Sequence, residues 1–306
     1  MKFIRYQDVD HKLDWSSMVQ ALKSGHELPK AKISDHFIRR DDDTLLSRAA
    51  WIDGLGIAVK SVTVFPENAQ KDRPTVQGAM LLFDEKTGSA HAVIDSALVT
   101  KWKTIADSLL GAKILARPDS KHLLVIGAGH VAQHAISGYL HMFPNLEKIS
   151  VHARSKNSVE ALSQSFSLEQ PMVCAVDDLR KTVGQADIIV TATTSQQPVV
   201  KGAWLKPGVH LDLIGAFKID MREVDDEALL RSRVFVDARE TVLEHIGELA
   251  IPIAQGIITP DYLLGDLYDL VHGYCGRTNE KDITLYKNGG GAHLDLMIAH
   301  EIQKFL

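Results

Sequence analysis

The sequence predicts an α/β protein whose larger part is a doubly wound parallel sheet. After Lys121 the chain alternates short apolar runs with helix-length segments, a pattern typical of parallel strands joined by right-handed crossovers. The apolar run at 123–126 leads directly into a glycine-rich turn and a helical segment. Before residue 116 the pattern differs and contains hairpin-like runs, so an α+β domain is expected to precede the parallel sheet.

The first part of the chain is predicted to begin with a helix and continue as strands. Residues 1–28 are expected to be helical, because apolar residues recur on one helical face. These residues are Trp15, Met18, Val19 and Leu22. Short β-like runs follow at 49–52 and 56–65, and a hairpin is expected from 78–84 and 90–95.

A second helix is predicted at 96–115, where apolar residues again repeat at helical spacing. The polar segment 116–120 ends this helix and marks a domain boundary. Beyond it, the parallel sheet is predicted to have six strands and a candidate seventh, followed by a closing helix at 292–306. The strands are expected at 123–126, 148–152, 172–176, 186–192, 209–214, 233–237 and, as the candidate, 282–286.

The composition is that of an ordinary globular protein and excludes several classes of function. Of the 306 residues, 45% are hydrophobic and 24% are charged, and the formal net charge is −5. Without a basic excess to neutralise phosphates, no nucleic-acid partner is expected. No apolar run is long enough to span a membrane and the N-terminus is too polar for a secretory signal, so a cytoplasmic protein is expected.

The reactive side chains are not spaced for a metal site or a nucleophile elbow. Cys174 and Cys275 are far apart in sequence and are expected to be buried, reduced thiols. No cluster of His, Cys, Asp and Glu has metal-ligand spacing, and no Gly-x-Ser-x-Gly sequence occurs. No metal cofactor is therefore expected.

The turn Gly127-Ala128-Gly129-His130-Val131-Ala132 indicates a dinucleotide-binding Rossmann domain. Gly127 allows a tight strand-to-helix turn, Gly129 lets a pyrophosphate approach the backbone, and Ala132 lets the helix pack close to the strand. The helix N-terminus then offers N–H groups to the phosphates. The alternative is a glycine-rich turn in some other α/β protein.

The end of the second strand of this domain predicts which nicotinamide cofactor is preferred. An acidic residue there would bind the ribose 2′-hydroxyl of NADH, but the chain instead continues as Arg154-Ser155-Lys156. A guanidinium at this place suits the 2′-phosphate of NADPH. NADPH is therefore the predicted preference, with NADH possible. The alternative is that Arg154 and Lys156 are only solvated surface charges.

Several collinear segments resemble the ornithine cyclodeaminase/mu-crystallin family, which includes cyclodeaminases, some alanine dehydrogenases and ketimine reductases. The matching segments are 56–66, 76–84, 98–106, 127–129, 191–195, 215–225, 234–237, 244–248 and 286–295. The resemblance implies a homodimer with a Rossmann domain at 116–288. It also implies a substrate and dimerisation domain formed by 1–115 with 289–306, and substrate bound between the domains.

The family's substrates carry an α-carboxylate beside the carbon that exchanges hydride, and such a carboxylate needs fixed cations. Lys60 matches the family's strand lysine, and Lys103 stands where the family has arginine in a Thr-Ala-x-Arg-Thr motif. Both are predicted catalytic residues that bind the carboxylate, although Lys103 could instead contact a phosphate, and the alternative for both is a solvated lysine. The family's early arginine has no secure counterpart, and Lys30 or Lys32 is the candidate replacement.

Phe217 departs from the cyclodeaminases of this family, which have an aspartate in this region. Phenylalanine neither accepts a proton nor pairs with an ammonium group, so ring closure with loss of ammonia is disfavoured. Reduction of a preformed C=N bond is the better interpretation. Phe217 and Trp102 are candidate apolar walls for the substrate ring, the alternative for both being ordinary core.

The resemblance and the motifs together give a full set of expected site residues. The expected substrate-binding residues are Lys60, Gln77, Lys103, Phe217, Asn288, Gly290 and His293. The expected cofactor-binding residues are Thr104, Gly127, Ala128, Gly129, His130, Val131, Arg154, Ser155, Lys156, Thr191, Thr193, Thr194, Ile214, Gly215 and Ala216. Ser195 and Asp295 are additional polar candidates.

The resulting prediction is an NADPH-preferring reductase of a cyclic imine carboxylate. Δ1-Pyrroline-2-carboxylate, Δ1-piperideine-2-carboxylate or both would be reduced to L-proline or L-pipecolate. The alternatives are an ornithine or lysine cyclodeaminase, an alanine dehydrogenase, and a non-enzymatic NADPH-binding protein. The sequence leaves the ring size and the proton donor open.

Overall fold

A computed structural model describes residues 1–71, 73–167 and 171–305. The chain forms two compact units. The first unit is Met1–Ala106 together with the chain from Gly290 onward, and the second is Asp107–Gly289. The division falls within a long helix rather than after it. The domain bounds expected from the sequence, 1–115 with 289–306 and 116–288, stay a prediction.

The first unit is built on a six-stranded mixed sheet. Its elements before the division are β1 (Lys2–Ile4), α1 (Tyr6–Val9), α2 (Trp15–His26), β2 (Lys32–Arg40), β3 (Asp43–Ile52), β4 (Gly56–Val64), β5 (Val76–Phe83), β6 (Ala90–Asp95) and the start of α3 (Ser96–Leu115). The sheet order is β1-β6-β5-β4-β3-β2, and only the β1–β6 pair is parallel.

The predicted helix over 1–28 is wrong at its beginning, because the segment starts as a strand and a short helix. The main helix, α2, begins only at Trp15. There Asp14 caps it, accepting a hydrogen bond of 2.9 Å from the Ser17 backbone N–H. The hairpin β5–β6 and the helix α3 are confirmed.

The second unit is a seven-stranded sheet in which every pairing is parallel. Its elements are β7 (His122–Ile126), α4 (His130–Met142), β8 (Lys148–His152), α5 (Lys156–Ser165), β9 (Val173–Ala175), α6 (Leu179–Val183), β10 (Ile188–Thr191), β11 (His210–Leu213), α7 (Asp226–Leu230), β12 (Ser232–Val236), α8 (Arg239–Val242), α9 (Gly247–Ala254), α10 (Leu267–Val271) and β13 (Ile283–Lys287). The final helix, α11 (Ala292–Ile302), belongs to the first unit.

The strand order β12-β13-β11-β10-β7-β8-β9 confirms the doubly wound parallel sheet. The order reverses between β7 and β10, and ligands bind such sheets outside the carboxyl ends of the strands at that point. Gly127, which follows β7, has φ +128°, and a Cβ there would overlap the Ala192 carbonyl after β10. Only glycine therefore fits this turn.

The two faces of the first unit's sheet differ in burial. Along β4, Ala58, Lys60 and Val62 are buried, whereas the alternate residues Ile57 and Val59 are only half-buried. Helix α11 contacts β2, β3 and β4. The side chain of Lys60 therefore projects from the buried face of the sheet.

The expected burial of the two cysteines is wrong. Both thiols are free and exposed. Cys174 lies on β9, which forms the edge of the parallel sheet, and Cys275 lies in the irregular segment before β13. An edge strand and a loop leave side chains in contact with solvent, which spacing in the sequence does not reveal.

Within the described part of the chain, no helix has the length and apolar character needed to cross a membrane. The same residues contain no group of three or more His, Cys, Asp and Glu side chains arranged to hold a metal ion.

Candidate active site

The turn after β7 presents the features needed to hold a pyrophosphate. Gly129 is the N-cap of α4, and a Cβ on it would meet no atom within 4 Å. The backbone at the N-terminus of this 13-residue helix is therefore open to a ligand. Gly129, His130 and Val131 are exposed, whereas Ala132 is fully buried and packs the helix against the sheet.

The residues after β8 lie on the surface of the second unit. Arg154, Ser155 and Lys156 are all exposed. The Ser155 side chain caps α5, accepting a 3.2 Å hydrogen bond from the Ser158 N–H, and Lys156 forms a 3.1 Å ion pair with Asp177. Among the residues that the structure describes, Arg154 forms no ion pair, so its guanidinium is available to an anion.

A single buried carboxylate, Glu223, joins the loops after β10 and β11. Its Oε1 accepts from the Thr193 N–H at 2.9 Å and from the Thr193 hydroxyl at 2.7 Å. Its Oε2 accepts from the N–H groups of Gly215 at 2.7 Å and Ala216 at 3.1 Å. A Cβ on Gly215 would overlap Thr193 and Glu223. Three predicted cofactor residues are thus held by one side chain that does not stand out in the sequence.

Two further buried groups extend the network around Glu223. The Glu248 carboxylate accepts from the N–H groups of Glu223 at 2.8 Å and Val224 at 3.1 Å, and burial raises its pKa to about 7. Lys287, at the end of β13, donates to the carbonyls of Leu213 at 2.7 Å and Asn288 at 2.9 Å. The ends of β10, β11 and β13 are therefore fixed together.

Asn288, a predicted substrate residue, is buried and held by a second polar chain. Its Nδ2 donates to the Ser108 hydroxyl at 3.0 Å, and that hydroxyl donates to Asp212 Oδ1 at 2.8 Å. The Tyr139 hydroxyl donates to Asp212 Oδ2 at 2.8 Å. Burial raises the pKa of Asp212 to about 7. Asn288 is thus fixed by residues of α3, β11 and α4.

In the first unit, Lys60 and Asp295 form a buried ion pair. Lys60 Nζ lies 2.7 Å from Asp295 Oδ1, and the two side chains are 6% and 1% exposed. Lys60 Nζ also lies 3.5 Å from the Thr100 hydroxyl. Burial lowers the pKa of Lys60 to about 8, although the negative charge of Asp295 opposes this shift. The predicted strand lysine is therefore a fixed interior cation.

Lys103 lies against the glycine run that precedes α11. The Lys103 side chain is buried, and a Cβ on Gly290 would overlap its Nζ. Gly290 also has φ +70°, a conformation that glycine adopts without strain. The glycine thus allows the ammonium group of Lys103 to approach the backbone.

Two more groups face this cluster of cations. Arg48 is the cross-strand neighbour of Lys60 and is paired with Asp35, its Nε lying 3.2 Å from Asp35 Oδ1. Arg48 does not stand out in the sequence, and the strand register with Lys60 is the signal that identifies it. His293 is buried, and burial together with neighbouring positive groups holds its pKa well below the ordinary value, so it is neutral.

The two early lysines differ in position. Lys30 is among the positive groups that lower the pKa of His293. Lys32 is paired in register with Trp51, on the opposite face of the sheet from Arg48 and Lys60. Lys32 therefore projects from the face opposite Lys60, and whether either lysine contacts the substrate stays a prediction.

Three further predicted residues have the following surroundings. Gln77 is opposite Thr63 in register, so it projects from the other face of the sheet and is exposed. Trp102 packs in the core against Trp15, with ring centroids 4.2 Å apart. Phe217 belongs to the second unit and is 59% exposed. The substrate roles of Gln77 and Phe217 stay predictions.

Comparison with known proteins identifies the family. The sequence profile of the ornithine cyclodeaminase/mu-crystallin family matches residues 31–304. A Δ1-pyrroline-2-carboxylate reductase of Paracoccus denitrificans is 52% identical over 306 residues, covering 100% of this chain and 97% of the relative. The SAR DEFICIENT 4 protein of Arabidopsis thaliana is 35% identical over 269 residues, covering 85% of this chain and 82% of that protein.

A solved structure matches this chain over its full length. The Δ1-pyrroline-2-carboxylate reductase of Thermococcus litoralis, determined in complex with NADH and L-proline, superposes with a TM-score of 0.93. It is 29% identical, and the match covers 100% of this chain and 97% of that one. This chain therefore belongs to the ornithine cyclodeaminase/mu-crystallin family.

Proposed function

We propose that this chain reduces a cyclic imine carboxylate with NAD(P)H, converting Δ1-pyrroline-2-carboxylate to L-proline. Δ1-Piperideine-2-carboxylate, with one more methylene in the ring, is the second substrate to test. The observation that carries the proposal is the interior cation cluster around Lys60 and Lys103. Buried cations are costly unless an anion pairs with them, and the α-carboxylate of the substrate supplies that anion. The 52% identity to a reductase of this substrate supports the same assignment.

The chain's own groups have separate tasks in this reaction. A bound nicotinamide cofactor supplies the hydride. The open N-terminus of α4 beside Gly129 holds the pyrophosphate, and the loops fixed by Glu223 hold the nicotinamide end through Thr193 and Gly215. Lys60 and Lys103 hold the carboxylate, so that the imine carbon is kept in one orientation.

A cyclodeaminase reaction is disfavoured by the residue at position 217. Phe217 stands where cyclodeaminases of the family have an aspartate, and the Lys218 ammonium lies 5.6 Å from the centroid of its exposed ring. No carboxylate is contributed at this position to bind the second amino group of ornithine. The substrate therefore enters with its C=N bond already formed.

The test is an assay of NADPH and NADH oxidation with each candidate substrate. We expect turnover with Δ1-pyrroline-2-carboxylate and formation of L-proline. Turnover only with pyruvate and ammonia would identify an alanine dehydrogenase, and release of ammonia from ornithine would identify a cyclodeaminase. Tight NADPH binding without turnover on any imine would identify a binding protein.

The preference for NADPH rests on Arg154. Replacing Arg154 by Ala removes the guanidinium proposed to pair with the 2′-phosphate, so kcat/KM for NADPH is expected to fall about tenfold or more. The value for NADH should change little. Lys148→Ala, at the other end of β8 and also exposed, is the matched control. An unchanged ratio of the two kcat/KM values in Arg154→Ala would contradict the preference.

We also propose that the chain is a homodimer that associates through the outer face of the first unit's sheet. This face, opposite Lys60, carries exposed apolar side chains. They are Phe3 at 70%, Ile38 at 56%, Leu45 at 38% and Trp51 at 45% exposure. Apolar groups gathered on one sheet face are typical of a surface that a partner covers.

Charge placed in this face should separate the subunits. Trp51→Asp is expected to yield monomers at concentrations where the unaltered chain is a dimer, because association would bury an unpaired carboxylate. Light scattering after size-exclusion chromatography gives the mass. Leu230→Asp, which alters an exposed apolar residue of the second unit, should leave the mass unchanged. A dimeric Trp51→Asp protein would refute this interface.

The cytoplasm is the proposed location. Cys174 and Cys275 are exposed free thiols, and such thiols persist in a reducing compartment. Recovery of the tagged chain from the oxidising compartment of its cell would argue against this location.

A further inference from the structure

Asp295 has one oxygen that the ion pair with Lys60 does not use. Its Oδ1 lies 2.7 Å from Lys60 Nζ, whereas its Oδ2 is buried and has no hydrogen-bond partner among the described residues. The charges of Lys60, Lys103 and Arg48 hold the pKa of Asp295 below its ordinary value despite burial. The group is therefore an interior carboxylate with one bare, negatively charged oxygen. Such an oxygen is costly until a donor reaches it.

The surroundings of Asp295 define the ligand that would supply this donor. Lys60, Lys103 and Arg48 together carry three positive charges, of which Asp295 neutralises one and Asp35 pairs with another. The cluster therefore attracts a carboxylate, while the bare oxygen attracts an N–H group. In a cyclic α-imino acid the carboxylate and the nitrogen are attached to the same carbon. One small molecule of this class can satisfy both requirements.

We propose that Asp295 Oδ2 accepts a hydrogen bond from the ring N–H of the substrate, which binds as the protonated iminium. The proposal rests on the proposed function and makes Asp295 a catalytic residue rather than only the partner of Lys60. It also explains why a carboxylate is retained among cations whose task is to bind another carboxylate.

This arrangement removes the need for a proton donor in the hydride step. Hydride from the reduced nicotinamide forms the new C–H bond at the imine carbon, while the π electron pair of the C=N bond moves to nitrogen. The product is a neutral secondary amine that keeps its N–H, and the nicotinamide is oxidised. The amine then takes up a proton from solvent. Asp295 stays ionised throughout and stabilises the positive charge of the substrate before the transfer.

The first test compares two planar inhibitors that differ in one ring atom. Pyrrole-2-carboxylate has a ring N–H beside its carboxylate, whereas furan-2-carboxylate has an oxygen with only lone pairs. We expect the unaltered protein to bind the pyrrole at least about tenfold more tightly, because the furan oxygen would face the Asp295 oxygen without a donor. Equal inhibition constants would overturn the proposal without the use of any variant.

The second test uses Asp295→Asn, which keeps the shape and removes the charge. We expect kcat/KM for Δ1-pyrroline-2-carboxylate to fall about 100-fold, because charge-assisted hydrogen bonds are the stronger class. The ratio of the two inhibition constants, which measures the preference for pyrrole-2-carboxylate over furan-2-carboxylate, should fall below about threefold, because the charge-assisted hydrogen bond to the ring N–H is lost. Furan-2-carboxylate should bind to Asp295→Asn at least as tightly as to the unaltered protein, because the Asp295 carboxylate no longer competes with the inhibitor's carboxylate for Lys60.

Controls separate this role from structural damage and from failure of the proposed function. Asp10→Asn alters a carboxylate of the same unit that is paired with Lys101 at 2.7 Å, and it should leave both inhibition constants unchanged. Weaker binding of both inhibitors to Asp295→Asn would indicate a purely structural role. If the unaltered protein does not reduce the imine, the proposed function fails. If it reduces the imine but does not discriminate between the inhibitors, only this inference fails.

Discussion

Replacing Lys60 by Met is expected to lower kcat/KM for Δ1-pyrroline-2-carboxylate by a factor on the order of 10²–10³. Lys60 is an interior cation that pairs with Asp295 and, in the proposed function, with the substrate carboxylate. Its loss leaves two carboxylates near each other with one cation fewer, so substrate binding is weakened most and KM should rise. Steady-state kinetics with saturating NADPH measure the effect.

The control is a lysine of the same unit with an equally close ion pair. Lys101 lies 2.7 Å from Asp10, and Lys101→Met should leave kcat/KM for the imine within about threefold of the original. The dissociation constant of NADPH should be unchanged in Lys60→Met, because Lys60 is not among the proposed cofactor residues. A Lys60→Met enzyme with unaltered KM for the imine would exclude Lys60 from carboxylate binding.

The parallel sheet could be predicted from the sequence because its strands are buried on both faces. Every residue of β7 and β10 is buried, and each strand contains an apolar run, 123–126 and 188–190, that stands out in the sequence. The strand β2 was not recognised, because most of its residues are exposed and its sequence is largely polar. Strand β2 forms because it pairs with β3, and the sequence of a single strand does not reveal such a pairing.

Site residues could be predicted where a sequence motif or the family resemblance marks them. They could not be predicted where their role depends on burial in the folded chain. The glycine turn at Gly127 and the strand lysine Lys60 stand out in the sequence through spacing and resemblance. Asp295 is a candidate in the sequence too, but its ion pair with Lys60 joins residues 235 positions apart and could not be predicted. Glu223 looks like any charged residue of a loop. Only the fold shows that it is buried and accepts four hydrogen bonds.

Glu223 is expected to tolerate substitution poorly. Each of its oxygens accepts two hydrogen bonds, from Thr193 on one side and from Gly215 and Ala216 on the other. Gln at this position keeps one acceptor oxygen and turns an NH2 group towards two donors. It also removes a negative charge near the buried Lys287 ammonium. Both changes leave buried polar groups unpaired.

Glu223→Gln is therefore expected to reduce the free energy of unfolding by about 3–5 kcal/mol, which corresponds to a lower Tm by roughly ten degrees. NADPH should bind at least about tenfold more weakly, because the loops proposed to hold its nicotinamide end lose their common anchor. Glu244→Gln, which alters an exposed carboxylate of the same unit, should change neither quantity. Calorimetry of unfolding and titration with NADPH measure the two effects separately. A Glu223→Gln protein with the original Tm and the original NADPH affinity would show that the four hydrogen bonds do not hold these loops in place.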